Sequence, residues 1–140
     1  MNLVVDCSFI MSSVLPDETQ PLVDNIYRQI ANKIYYVFVP GIFYLECNNV
    51  LISSLRKNRI NKSDCADYLQ LLTALPIKID KFCSTPESLY SIAKIAGNYN
   101  LTAYDAAYLE IAERLGAKVA TLDRNLALAC RNAHIELLIE

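Results

Sequence analysis

The chain is poor in the residues that build several common kinds of site. Its 140 residues include no tryptophan, one histidine and three glycines. Gly41, Gly97 and Gly116 stand far apart, so the sequence lacks the glycine-rich loops that bind nucleotide phosphates. The five cysteines contain no C-x-x-C pair, which is the spacing that zinc sites commonly use. These absences argue against Walker-type and dinucleotide-binding enzymes and against a zinc protein.

Long apolar runs and a strong charge imbalance are also missing. No apolar run approaches the roughly 20 residues that a membrane span needs, and the run from Val37 to Leu45 is interrupted by Pro40-Gly41. No basic segment opens the chain, and Asp6 comes early, so we expect neither a secretory signal nor a membrane partner. The scattered cysteines favour buried free thiols in a reducing, cytoplasmic compartment.

The charge balance limits how the protein can meet nucleic acid. Lys and Arg number 13 against 15 Asp and Glu, for a formal net charge of −2. A protein that coats DNA needs a basic surface, so that class is not expected. Binding through a local basic patch remains open.

The chain contains enough apolar residues for one domain, and strand-like segments alternate with helix-like segments along it. At 140 residues, 54% of them hydrophobic, the chain is expected to form one domain over 1–140. The pattern predicts strands at 3–5, 36–39, 77–79, 118–122 and 135–139. Helices are predicted at 20–34, 42–59 and 61–75, from 85 or 86 onward, and at 102–115 and 124–132. This alternation predicts an α/β fold with a mostly parallel central sheet flanked by helices on both faces.

Four acids stand where a ligand site of such a sheet would form. Asp6 ends the first strand and Asp123 the fourth, and ligands bind beyond the carboxyl ends of strands in open α/β sheets. Each of these two acids could instead cap the next helix, and both roles are compatible. Glu46 lies on a helix that is apolar on nearly all sides. A structural ion pair is the alternative interpretation of Glu46. Asp105 could simply stabilise the first turn of its helix.

Taken together, the four acids predict a metal site. Several carboxylates placed close together repel one another, and this repulsion raises their pKa values. A divalent cation relieves the repulsion, and oxygen ligands without nearby histidine or cysteine suit Mg²⁺ or Mn²⁺. Such ions activate water and neutralise charge on a phosphoryl group. The prediction requires that Asp6, Glu46, Asp105 and Asp123 converge at one edge of the sheet.

The sequence resembles the PIN-domain ribonucleases, and among them the small VapC-like toxins of prokaryotic toxin–antitoxin pairs. The matching segments span almost the whole chain, and the block from Asp105 to Asp123 is the most specific. They are Val4 to Ser8, Val39-Pro40 with Glu46 to Leu51, Leu101 to Leu109, and Ala120 to Leu126.

The resemblance implies a metal-dependent endoribonuclease with acidic catalytic ligands at Asp6, Glu46, Asp105 and Asp123. Ser8 matches a family hydroxyl beside the first acid, and Asn49 matches a recurrent helix position. The family hydrolyses RNA with metal-activated water and leaves a 3′-hydroxyl and a 5′-phosphate. It usually dimerises and is silenced by a cognate antitoxin, so we expect RNA, an antitoxin and a second copy as partners.

The sequence also departs from the family pattern in three places. Asn132-Ala133 follows the last helix, where many relatives have glycine, and Cys7 is an unusual neighbour for the first acid. No acid follows Asp123 within three residues, so a second metal is expected to be weakly held.

Three further sets of residues have more than one interpretation. Arg56, Lys57, Arg59 and Lys62 could contact RNA phosphates, or could complement the dipole at a helix C-terminus. The tyrosines at 35, 36, 104 and 108 could stack on bases, although packing roles are favoured. On the helix from Ile42, the side with Tyr44, Leu51 and Leu55 is expected to meet a second subunit, an antitoxin or the next helix of the chain.

Other functions are weaker matches. A catalytically inactive PIN-like module that binds RNA or an antitoxin is the main alternative, although all four acids are present. A haloacid-dehalogenase-type phosphatase would need a second Asp where this chain has Ser8. A receiver-type phosphoacceptor would need an acidic pair at the first strand end, where Asp6 stands alone.

Overall fold

The fold is taken from a computed structural model, which describes residues 1–15 and 20–139. Helices and strands alternate along these residues, as the sequence pattern predicts. In chain order they are β1 (Asn2–Val5), α1 (Cys7–Val14), α2 (Pro21–Ala31), β2 (Tyr36–Pro40), α3 (Phe43–Arg56), α4 (Lys62–Ala74), β3 (Ile77–Asp80), a short 3-10 helix (Phe82–Ser84), α5 (Ser88–Tyr99), α6 (Ala103–Leu115), β4 (Lys118–Ala120) and α7 (Arg124–Asn132).

The strands form one parallel sheet with the order β3-β2-β1-β4. Successive side chains of a strand point to opposite faces. In β1, Leu3, Val4 and Val5 are all fully buried, so helices cover both faces of the sheet at its centre. This confirms the predicted α/β architecture. Because the strands are parallel, their carboxyl ends meet at one edge, which is where Asp6 lies.

Several predicted elements differ from those observed, and the helix at Cys7–Val14 was not predicted. Pro86 does not open a helix, because α5 begins at Ser88 after a turn. The strand predicted at 135–139 is reduced to a single bridge between Leu137 and Val119. The strand predicted at 118–122 stops at Ala120, and this early end leaves β4 with only three residues to pair.

Helix α3 presents a different apolar side from the one predicted. Leu51 is 1% exposed, so it packs inside the chain, while Tyr44 and Leu55 are half-buried. The exposed apolar side chains are instead Leu45 and Ile52, which are seven residues apart and therefore share a face.

The cysteines are all free. Cys7, Cys47 and Cys130 are buried, as predicted, but Cys65 and Cys83 are only partly covered. In the ranges 1–15 and 20–139, no helix is long and apolar enough to cross a membrane.

Candidate functional site at the carboxyl edge of the sheet

Asp6 is a buried carboxylate that is held at both oxygens. It follows β1, caps α1 and is 5% exposed. Its Oδ1 accepts from the Phe9 backbone N–H at 3.0 Å and from the Ser8 hydroxyl at 2.7 Å. Its Oδ2 accepts from Thr121 Oγ1 at 2.5 Å. Burial raises the pKa of Asp6 to about 6, although these three hydrogen bonds lower it, and repulsion by Asp123 adds to the rise.

Two hydroxyl groups join the end of β1 to the end of β4. Thr121 Oγ1, besides donating to Asp6, accepts from the Asp123 backbone N–H at 3.0 Å. Ser8 Oγ donates to Asp6 and accepts from the Leu122 backbone N–H at 3.0 Å. Because β4 ends at Ala120, Thr121 and Leu122 are free to make these bonds. Ser8 therefore lies beside the first acid, while the role of Thr121 was missed by sequence reasoning.

Glu46 is held by a buried tyrosine. The hydroxyl of Tyr108 donates to Glu46 Oε1 at 2.5 Å, and Tyr108 itself is 1% exposed. Burial and repulsion by Asp105 raise the pKa of the half-buried Glu46, while the bond from Tyr108 lowers it. Burial, together with the Glu46 contact, also raises the pKa of Tyr108. Tyr108 therefore contacts a protein carboxylate, not an RNA base. Its position on an apolar part of the helix did not indicate this contact.

Asp105 and Asp123 both lie at helix beginnings. Asp105 is in the first turn of α6, and its backbone N–H donates to the capping Thr102 hydroxyl at 3.1 Å. Asp123 caps α7, with its Oδ1 accepting from the Leu126 backbone N–H at 2.8 Å. Burial and then repulsion by Asp123 raise the pKa of Asp105. The capping readings of Asp6 and Asp123 are therefore correct, and they coexist with electrostatic contact between the acids.

The four acids form a repelling chain, but they are not placed as a ready metal site. Asp123 repels both Asp6 and Asp105, and Asp105 repels Glu46. Such a set of oxygen donors has the chemistry that Mg²⁺ or Mn²⁺ prefers. Within residues 1–15 and 20–139, however, no three His, Cys, Asp or Glu side chains are grouped so that they could hold an ion.

The remaining predicted residues lie around the edges of this site or away from it. Asn49 follows Glu46 by one turn of α3 and is exposed. Arg56, Lys57, Arg59 and Lys62 are exposed where α3 ends and α4 begins. Arg56 is ten residues beyond Glu46, which is about 15 Å along a helix. Of the tyrosines, Tyr36 and Tyr104 are 61% and 65% exposed, so the packing reading is wrong for these two.

Comparisons with known proteins agree on one family. A family model described as PIN domain matches residues 3–132. A protein named Ribonuclease VapC3, from Pyrobaculum aerophilum, is 31% identical over 127 residues, covering 91% of this chain and 93% of that protein. The fold is similar to the crystal structure of PAE2754 from Pyrobaculum aerophilum, with a TM-score of 0.66 over 92% of this chain and 87% of that one. At 20% identity, this second likeness concerns the fold alone.

Proposed function

This chain belongs to the PIN domain family, and on that premise we propose that it is a ribonuclease, the toxin of a toxin–antitoxin pair, which requires Mg²⁺ or Mn²⁺. The observation that carries the proposal is the 31% identity to Ribonuclease VapC3 over 91% of the chain. The reaction is hydrolysis of RNA phosphodiester bonds within the strand. The substrate is RNA, the regulatory partner is an antitoxin protein, and the compartment is the cytoplasm.

Asp6, Glu46, Asp105 and Asp123 are the residues that we assign to metal binding and catalysis. The ion supplies a positive charge for the phosphoryl group and lowers the pKa of water. The chain's own residues prepare the site, because Ser8 and Thr121 orient Asp6 and Tyr108 orients Glu46. Burial keeps water away from Asp6, which strengthens its interaction with a cation. Asn49, one turn from Glu46, is assigned a supporting role.

We assign the exposed apolar side of α3 to assembly. Leu45 is 71% exposed and Ile52 is 43% exposed, and large apolar side chains on one face favour contact with another chain. A homodimer is the assembly that this assignment predicts. The basic residues between the end of α3 and the start of α4 are assigned to RNA contact at a distance from the acids. They are Arg56, Lys57, Arg59 and Lys62.

The alternative function is that of an inactive module with the same fold, which binds RNA or an antitoxin. Such a module would bind RNA without cleaving it, whether or not a metal ion is present.

A cleavage assay separates these functions. The purified protein is incubated with generic single-stranded RNA in Mg²⁺, in Mn²⁺ and in excess EDTA, and the products are analysed for their ends. We expect internal cleavage with either metal, 3′-hydroxyl and 5′-phosphate ends, and no cleavage in EDTA. The protein used must be folded and free of antitoxin. If the RNA then stays intact under all three conditions, the inactive module is the better hypothesis.

Removal of the Tyr108 hydroxyl tests whether it orients Glu46. We expect Tyr108→Phe to lower the free energy of unfolding by about 1–3 kcal/mol, because a buried hydrogen bond to a charged group is removed. We also expect it to raise the Mn²⁺ concentration that gives half-maximal thermal stabilisation, since Glu46 is no longer held.

Tyr90→Phe is the matched control, because Tyr90 is 89% exposed on α5 and should tolerate the change without effect. Thermal melts over a Mn²⁺ series measure both quantities. If Tyr108→Phe lowered stability but left the Mn²⁺ midpoint equal to that of Tyr90→Phe, the hydroxyl would serve packing alone.

A further inference from the structure

The four acids create a problem for an RNA substrate. Each nucleotide carries a negative phosphate, and the site consists of carboxylates that already repel one another. The whole chain has a formal net charge of −2, so the general field of the protein does not attract RNA. An RNA strand that reaches this edge of the sheet therefore needs local cations to hold its phosphates.

A cavity beside the acids contains such cations. It has a volume of about 400 Å³ and lies next to Asp123 and Thr121, the residue that donates to Asp6. Arg124 and Arg131 line it from α7, and Leu122, Ala127 and Ile139 supply apolar wall. The two arginines are seven residues apart, so they share one face of the helix and are separated by about 10 Å along its axis.

The position of Arg124 is not explained by the helix that carries it. Arg124 is the first residue of α7, where the positive end of the helix dipole disfavours a cation. Arg131, in the last turn, is at the end where the dipole favours one, so the dipole accounts for Arg131 only. Both arginines line the same cavity.

Arg124 and Arg131 differ from the arginine that forms structural ion pairs in this fold. Arg114 bonds Glu110 at 2.6 Å and Asp80 at 2.7 Å. Among the residues that the structure describes, Arg124 and Arg131 have no such carboxylate partner. The planar fork of arginine matches two oxygens of one phosphate.

We propose that Arg124 and Arg131 bind backbone phosphates of the RNA strand in the cavity beside Asp123. This inference rests on the proposed ribonuclease function and adds the direction from which the substrate enters. The strand lies along α7, and its phosphates are held on one side of the four acids. The apolar wall contributes contact with sugar or base without reading sequence.

The test measures RNA binding separately from RNA cleavage. A fluorescently labelled single-stranded RNA is titrated with the full-length protein in EDTA, and binding is followed by anisotropy over a series of salt concentrations. We expect Arg124→Gln and Arg131→Gln each to weaken binding about tenfold to a hundredfold, the range for removal of a charge-assisted hydrogen bond. The slope of log K against log salt should fall by about 0.7 for each phosphate that the variant no longer binds.

Two controls accompany these variants. Arg28→Gln removes one positive charge from an exposed position of α2, outside the cavity, and reports the effect of net charge alone. Arg124→Lys keeps the charge and loses the fork, so it should bind RNA more weakly than wild type and more tightly than Arg124→Gln. Far-UV circular dichroism and melting temperature verify that each variant is folded. In metal-loaded kinetics, KM should rise in the glutamine variants while kcat stays near that of wild type.

The outcomes distinguish this inference from the proposed function. If wild type cleaves RNA and the cavity variants bind it as Arg28→Gln does, the arginine site is wrong and the nuclease stands. If no metal supports cleavage but the cavity variants still bind RNA more weakly than the control, the site is right and the nuclease is wrong. The arginine site would also be overturned if no form of the protein bound RNA. A loss of kcat with unchanged KM in the glutamine variants would overturn it as well.

Discussion

Asp6→Asn should abolish RNA cleavage and also weaken the protein's response to metal. In wild type, Mg²⁺ or Mn²⁺ should raise the melting temperature, because a ligand that binds only the folded state stabilises it by about 2.7 kcal/mol at a hundredfold excess over Kd. Asparagine caps a helix about as well as aspartate, so α1 should survive the substitution. Without metal, the variant should be at least as stable as wild type, since one member of the repelling set is removed.

The measurement is a melting series of both proteins with and without Mn²⁺, run beside the cleavage assay. Asp67→Asn, which removes an exposed carboxylate from α4, is the matched control and should behave as wild type in both. Equal metal-induced shifts and equal cleavage in wild type and Asp6→Asn would end the catalytic reading of Asp6. Asp6 would then be a helix cap and nothing more.

Asp6 should also give the metal-free protein an unusual dependence of stability on pH. The pKa of Asp6 is about 6 in the folded protein, against 3.8 for an ordinary aspartate, which is the value expected once the chain unfolds. Between these two values the folded state binds the proton more strongly than the unfolded state, so stability falls as pH rises. A difference of about two pKa units corresponds to roughly 3 kcal/mol, all of it lost by about pH 8.

Urea denaturation in EDTA at several pH values from about 4 to 8 measures this effect. Other carboxylates titrate over the same range, so the informative quantity is the difference in unfolding free energy between wild type and Asp6→Asn. That difference should be small near pH 4 and should move by roughly 3 kcal/mol in favour of the variant near pH 8. Saturating Mn²⁺ should reverse its sign at pH 8. A difference that stays constant with pH would mean that Asp6 has the same pKa in the folded and the unfolded protein.

Much of the fold could be predicted because its signals are local. The β-branched run before Asp6 and the predicted cap at Asp123 act within three or four residues, and both are present in the structure. The early end of β4 could not be predicted, because Thr121 and Leu122 continue an apolar, β-prone run. Their backbone and side chains bond instead to residues more than a hundred positions away.

The details of the site depend on pairings between distant segments. The register that sets Val5 beside Ala120 also sets Asp6 beside Thr121, and periodicity within one segment contains no information on that register. In the same way, Tyr108 and Glu46 are 62 residues apart, and they meet only where the folded chain brings α6 next to α3. The sequence predicted a helix at 102–115 and favoured a packing role for Tyr108, but it could not reveal which polar group its hydroxyl would reach.

The sequence by itself determined the α/β class, the alternation of most of the strands and helices, the identity of the four acids and the resemblance to the PIN family. Each of these follows from residue type and spacing along one chain. Only the tertiary structure decided that Ser8 and Thr121 hold Asp6, that Leu51 is internal while Leu45 and Ile52 are exposed, and that Arg124 and Arg131 share a cavity beside Asp123. The physical reason is that burial and hydrogen bonding between distant residues are set by strand register and helix packing, which local sequence patterns do not specify.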